Sequence, residues 1–198
     1  MAFIVKSAGL VTTGTTGADL FSVNSGAVAG TTILGLAGND TVQFAGGVST
    51  ATALYVDAAG NQDVITVSGG TLSSTSIMGG AGGDVIDVKL TGFNASDLNG
   101  GDGNDTITVS GAALVASAST ITLGAGADIF SGSFTSGTKL TVAAGSGADT
   151  ITLGLGAMSA STVFGGGGAD SITVSANGGG LLINGDSTAD GGGADTIT

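Results

Sequence analysis

Every ionisable acid in this 198-residue chain is an aspartate, fifteen in all. Glu, Arg, His and Cys are absent, and Lys occurs only at positions 6, 89 and 139. Thiolate and imidazole catalysis, a zinc site built on Cys or His, and disulfides are therefore excluded. Two aspartates could in principle divide acid–base work, as in some glycan-cleaving folds. No pair stands apart from the periodic pattern described next, so the chain reads as a non-enzyme. The formal net charge of −12 argues against nucleic acid, which is bound by cationic surfaces, and against anionic membrane surfaces. It favours cations.

Nine of the aspartates recur in register: Asp19, Asp40, Asp63, Asp84, Asp105, Asp128, Asp149, Asp170 and Asp195. The intervals are 21, 23, 21, 21, 23, 21, 21 and 25 residues. Glycine stands two positions before eight of these anchors, and Asn61 replaces it before Asp63. Asn is the residue that best tolerates a left-handed backbone after Gly. Nine units in near-constant register define a repeat architecture, which governs every other reading.

The elements that must carry these aspartates follow from the alternation around them. Two positions after each anchor stand Phe21, Val42, Ile65, Ile86, Ile107, Phe130, Ile151, Ile172 and Ile197, and the residues between are mostly Ser or Thr. Period two with β-branched enrichment predicts a half-buried strand leaving each glycine-rich turn. A second apolar column, seven residues before the anchors, holds Ile33, Val56, Ile77, Leu98, Ile121, Val142 and Val163 and predicts a strand approaching the turn. The expected fold is an all-β parallel β-solenoid with coils of about 21 residues, two strands and one glycine-rich turn carrying an Asp per coil. Its crossovers should be right-handed. Residues 1–11 read as an N-terminal cap or first strand and 12–198 as nine solenoid units. Thr198 falls midway along an outgoing strand, so the solenoid is expected to continue past it.

Stacked coils bring the anchors into a single file about one strand spacing apart, where like charges repel. Three lysines cannot offset them. Calcium meets the need: it accepts six to eight oxygens from carboxylates and carbonyls in a flexible geometry, whereas magnesium demands tighter octahedra. Eight gaps between nine turns give at most eight sites. The irregular loop "AAGNQD" (58–63) is expected to weaken or empty its neighbours. The plainer alternative is a tight turn whose Asp only caps the backbone. A phosphate loop is excluded, because no Lys or helix N-terminus accompanies the glycines.

The stretches "GGDGNDTIT" (100–108), "GGAGGDVID" (79–87) and "GGGGADSIT" (165–173) resemble the nonapeptide repeat of RTX proteins. "GTTGADLFS" (14–22) and "GLAGNDTVQ" (35–43) keep the fourth-position Gly and the Asp. The resemblance implies a calcium-filled parallel β-roll and type I secretion under a C-terminal signal, without an N-terminal signal peptide. It departs from the usual pattern in carrying the motif on one turn per coil, which implies one file of ions. One-sided Asp/Gly/Thr-rich repeats of this kind are similar to those of bacterial surface-layer and surface-filament proteins.

Asp102 and Asp190 lie within or beside these turns and are candidate auxiliary ligands, as is Asp186. Asp57, Asp87 and Asp97 fall off the file and read as solvated. "GDSTADGGGAD" (185–195) reads as an expanded turn. The pairs Thr106/Thr108, Thr150/Thr152 and Thr196/Thr198 suggest an ice-binding face, but Leu20, Val64, Val85 and Ile129 interrupt the array and point to contact with another surface. The functional expectation is an extracellular, cell-surface structural protein that rigidifies on calcium and polymerises with itself through its open strand edges, with no nucleic-acid partner and no membrane insertion. A monomeric adhesin stalk and a calcium-binding module of a secreted enzyme are the alternatives.

Overall fold

The computed structural model describes residues 2–5, 9–23, 27–44, 49–176, 180–186 and 193–198. Strands are the only regular elements among them, and every strand pair is parallel. Partners lie one coil apart, as in Val85↔Thr106 and Thr106↔Ile129. This is the parallel β-solenoid that the repeat predicts.

The predicted outgoing strands stack in one sheet, for example Val64–Ser68, Val85–Lys89 and Thr106–Ser110. The approach strands, such as Ser76–Ala81, Asp97–Asp102 and Thr120–Ala125, stack in a second, nine-stranded sheet. Ala2–Val5 already pairs in register with Leu20–Val23, so the first strand of the chain joins the outgoing column.

The expected two strands per coil hold from Ile129 onward, and the earlier coils add a third short strand, seen in Ala27–Ala29, Thr50–Thr52, Thr71–Ser73, Gly92–Asn94 and Val115–Ser117. In the middle coils it is separated from the outgoing strand by a bend, as at Gly69 and Gly70, whose φ values are 89° and 63°. Further on the bend disappears, and Ile129–Thr138 and Thr150–Ser159 run as single ten-residue strands. These long strands join the third column to the outgoing column as one fifteen-stranded sheet. Runs of three residues with alternating small side chains gave too short a period-two signal to be seen against the turn around them.

The core is a set of vertical stacks. Phe21, Val42, Ile65, Ile86, Ile107, Phe130, Ile151 and Ile172 are at most 1% exposed and sit above one another, facing Ile33, Val56, Ile77, Leu98, Ile121, Val142 and Val163. Each fully buried aliphatic or phenyl side chain stabilises by about 1.5–3 kcal/mol relative to exposure. Volumes compensate along a stack: Phe93 lies between Leu72 and the small Ala116. Gly132 takes the place that valine holds in Val109 because a Cβ there would press on Phe130, Phe134 and Leu153. A single coil has only half of each contact, so stability is cooperative along the stack.

The corner between the third strand and the approach strand is sharp. Ala53, Ser74, Ala95, Ala118, Lys139 and Ala160 hold positive φ values of 44° to 55° there. Non-glycine residues meet a penalty of about 1–2 kcal/mol in this region. The next residue points inward, and in several coils it is a buried hydroxyl: Thr31, Thr75, Ser96, Ser119 and Ser161. The N–H of Thr75 donates to Ser96 Oγ, that of Ser96 to Ser119 Oγ, and that of Leu140 to Ser161 Oγ. Ser96 Oγ in turn donates to the Asn94 carbonyl at 2.8 Å. These bonds fill in between the backbone bonds that join successive coils on either side of the corner, such as Ser74 N–H to the Asn94 carbonyl at 3.0 Å and Ser76 N–H to the Leu54 carbonyl at 2.8 Å.

Candidate metal centre

The glycine-rich turn holds two left-handed positions separated by one residue, as at Gly80 and Gly82 (φ 117° and 132°) or Gly101 and Gly103 (φ 114° and 127°). A Cβ on Gly101 or Gly103 would strike the carbonyl of Gly80 or Gly82 in the coil below. Glycine is thus required twice over, by conformation and by the close stacking of carbonyls. In the irregular turn, Ala59 and Asn61 occupy the same positions at φ 77° and 82°, which is the tolerance expected of Asn61.

After the second left-handed position the chain turns inward, and the anchor aspartate enters the interior. Asp19, Asp40, Asp63, Asp84, Asp105, Asp128, Asp149 and Asp170 are all at most 4% exposed. Their parity places them on the same side of the strand as the isoleucine column two residues later. Each N–H, from Asp19 to Asp170, donates to Oδ1 of the next anchor, from Asp40 to Asp195, at 2.6–3.0 Å. One oxygen of each carboxylate therefore continues the backbone ladder across the turn. The capping alternative is met in part, but the capped group belongs to the preceding coil.

The second oxygen has a different fate. Oδ2 of Asp40, Asp63, Asp84, Asp105, Asp128, Asp149 and Asp170 is buried with no hydrogen-bond donor. Asp19 differs: its Oδ2 accepts the N–H and the hydroxyl of Thr15 at 2.6 and 2.9 Å. A buried carboxylate oxygen without a partner carries a desolvation cost of several kcal/mol when ionised. Burial accordingly pushes Asp63 up to about 7 and Asp105 and Asp149 up to about 6, with repulsion between neighbouring anchors adding to it. The donated N–H groups pull in the opposite direction without winning. Asp40, Asp84, Asp128 and Asp170 are likewise raised by burial.

These residues fit a hard cation. The available donors are carboxylate and carbonyl oxygens, and nothing soft is present. No group of three acidic, His or Cys side chains converges among the described residues.

The remaining candidates lie elsewhere. Asp102 is exposed on the outside of its turn and does not join the buried file. Asp190 and most of the expanded turn at 185–195 lie outside the described residues, although Asp195 is in place and accepts the Asp170 N–H at 3.0 Å. Asp87, Asp97 and Asp186 are exposed, and Asp57 accepts a long hydrogen bond from Tyr55 Oη at 3.4 Å. Sequence reasoning missed the hydroxyl corner. Its signal was present as the recurrent Thr or Ser two residues before the apolar approach column.

The fold and the file together define a class: a parallel β-solenoid with an internal ladder of aspartates at one edge. No family model matches the chain, and no curated protein or solved structure matches it. No helix among the described residues is long and apolar enough to cross a membrane.

Proposed function

We propose that this chain is an extracellular structural repeat protein whose rigidity depends on calcium held along the aspartate file, and which assembles with copies of itself into a surface layer or filament. The observation that carries this reading is the row of seven buried Oδ2 atoms without donors. A fold that buries so many acceptors in one line and supplies no side-chain donor to them is incomplete as a neutral-pH structure. Calcium, when bound, supplies positive charge and oxygen coordination between neighbouring coils. The chain would contribute the orphaned Oδ2 atoms of Asp40 to Asp170, together with main-chain carbonyls of the turns. Folding and ion binding are then one process.

The extracellular location follows from the affinity expected of such loops, about 10⁻⁴–10⁻³ M, which only extracellular calcium meets. Before export, the acidic chain lacks its counter-ions and stays unfolded, ready for a secretion channel. Self-assembly has its own support in the stripe of Leu20, Val64, Val85 and Ile129. These are 40–51% exposed and belong to a single outward file on the outgoing sheet, in register through Thr41 and Thr106. Flat stripes of this kind mark a contact surface.

The test is a calcium titration of the chelator-stripped chain, followed by far-UV circular dichroism and by static light scattering. A cooperative coil-to-β transition near millimolar calcium, followed by growth of ordered particles, is expected. A β-signal at full strength in chelator at pH 8 would remove the calcium requirement, and a folded chain that never grows would remove the assembly.

A further inference from the structure

Along the stack, the outward file directly after the anchors runs Leu20, Thr41, Val64, Val85, Thr106 and Ile129. The order is the same from either end: apolar, Thr, apolar, apolar, Thr, apolar. Beyond Ile129 the file continues as Thr150, Ser171 and Thr196, so the apolar set ends there. The pattern is symmetric about a point midway between the coils of Val64 and Val85. Such a surface is complementary to itself under a two-fold axis lying along the strand direction, which is the isologous contact of a symmetric dimer. Two copies facing each other with antiparallel stacks set Leu20 against Ile129, Val64 against Val85 and Thr41 against Thr106.

The pattern also selects this register over its neighbours. A slip of one coil sets Leu20 on Thr106 and Val85 on Thr41 in one direction, or Ile129 on Thr41 and Val64 on Thr106 in the other. With parallel stacks, full overlap of the two faces would lay Val64 and Val85 across Ser68 and Lys89, at the far end of the strands.

Charge agrees with this face. The chain carries a formal net charge of −12, so most of its surface repels a second copy. Among their described residues, the strands of these six coils present one anion and one cation outward, Asp87 and Lys89, which cancel. The nine-stranded sheet instead carries Asp57, Asp97, Asp102 and Asp186 and no lysine among its described residues. In the antiparallel pair, Lys89 of each copy lies over Ser68 of the other, one strand from its Asp87. Opposite charges thus approach twice, once on each side of the axis. Six strands at about 4.8 Å spacing and about 17 Å long present roughly 500 Å², so the pair buries roughly 1,000 Å², the low end for specific association.

We propose that the chain pairs with a second copy through this face, antiparallel, about a two-fold axis between the coils of Val64 and Val85. This rests on the self-assembly reading above and specifies its first contact. An isologous contact closes on itself, so the pair and not the single rod is the unit from which a layer or filament grows.

The chain has no cysteine, so Leu20→Cys and Ile129→Cys each introduce a single thiol. Each variant alone and their equal mixture, in millimolar calcium, are treated with a short bis-maleimide that spans the ~10 Å between facing sheets but not the roughly 24 Å of five strand spacings. Circular dichroism checks that both variants fold, and static light scattering of the parent reports association. Cross-linked dimer on a denaturing gel is expected from the mixture and from neither variant alone. Dimer from either variant alone overturns the antiparallel pairing. Association in light scattering with no cross-link in the mixture overturns this contact and leaves self-assembly standing. No association of the parent at all overturns both.

Discussion

Asp105→Asn separates charge from shape at the middle of the file. The substitution keeps the Oδ1 that accepts the Asp84 N–H at 2.7 Å. It places an amide N–H where the orphaned Oδ2 stands, close to the Leu123 carbonyl. Burial raises the Asp105 carboxyl from 3.8 to about 6. A rise of roughly 2 units at about 1.4 kcal/mol each makes the ionised group cost the calcium-free fold about 3 kcal/mol. The folded value lies above the unfolded one, so the contribution to stability is complete below about pH 3.8 and is lost as pH rises through about 6. The variant in chelator is therefore more stable than the parent by up to about 3 kcal/mol at pH 8 and nearly equal to it at pH 4. In saturating calcium the order reverses, because the variant has lost a ligand. Urea unfolding followed by circular dichroism measures all three, with an osmolyte added in chelator to bring the parent into its folded range. A variant less stable than the parent in chelator at pH 8 would refute the reasoning, since the ionised carboxylate would then be a net stabiliser without any ion.

Three further outcomes follow from the same geometry. Without calcium the whole chain gains stability as pH falls from about 7 to about 4, since Asp63, Asp105 and Asp149 titrate near 7, 6 and 6; circular dichroism in chelator measures the slope, and a rising stability with pH would contradict it. Ser96→Ala leaves the Thr75 N–H without its acceptor and costs about 1–3 kcal/mol, equally in chelator and in calcium, because the hydroxyl corner lies apart from the file; unequal losses in urea unfolding would place the two edges in contact. Val64→Lys combined with Ile129→Lys leaves the monomer's circular dichroism unchanged and abolishes particle growth in light scattering, and undiminished growth would move the contact surface elsewhere.

The solenoid was legible because its strongest signals are periodic. Asp84, Gly82 and Ile86 repeat together from coil to coil, and a feature that recurs nine times outweighs the ambiguity of any single short strand. The inward direction of the anchors was also implicit, since Asp105 and Ile107 share one parity. What they bond to was not. The Oδ1 contact to the neighbouring coil's N–H depends on how deeply the turn folds back, and no residue type records that. The third strand escaped because Thr71–Ser73 and Gly92–Asn94 are three residues long and set among glycines. The left-handed corner at Ala95 and Ala118 could not be read at all, because alanine gives no hint of positive φ; the strain is imposed by stacking and held by the serine bonds beside it.

Small-angle X-ray scattering of the chain at pH 8 in chelator, in millimolar calcium and in millimolar magnesium tests the central claim most directly. An expanded coil in chelator and in magnesium, converting to a stiff rod of solenoid cross-section in calcium alone, is the predicted result. A rod of the same cross-section in chelator would show that the aspartate file is stable without ions, and would contradict the account.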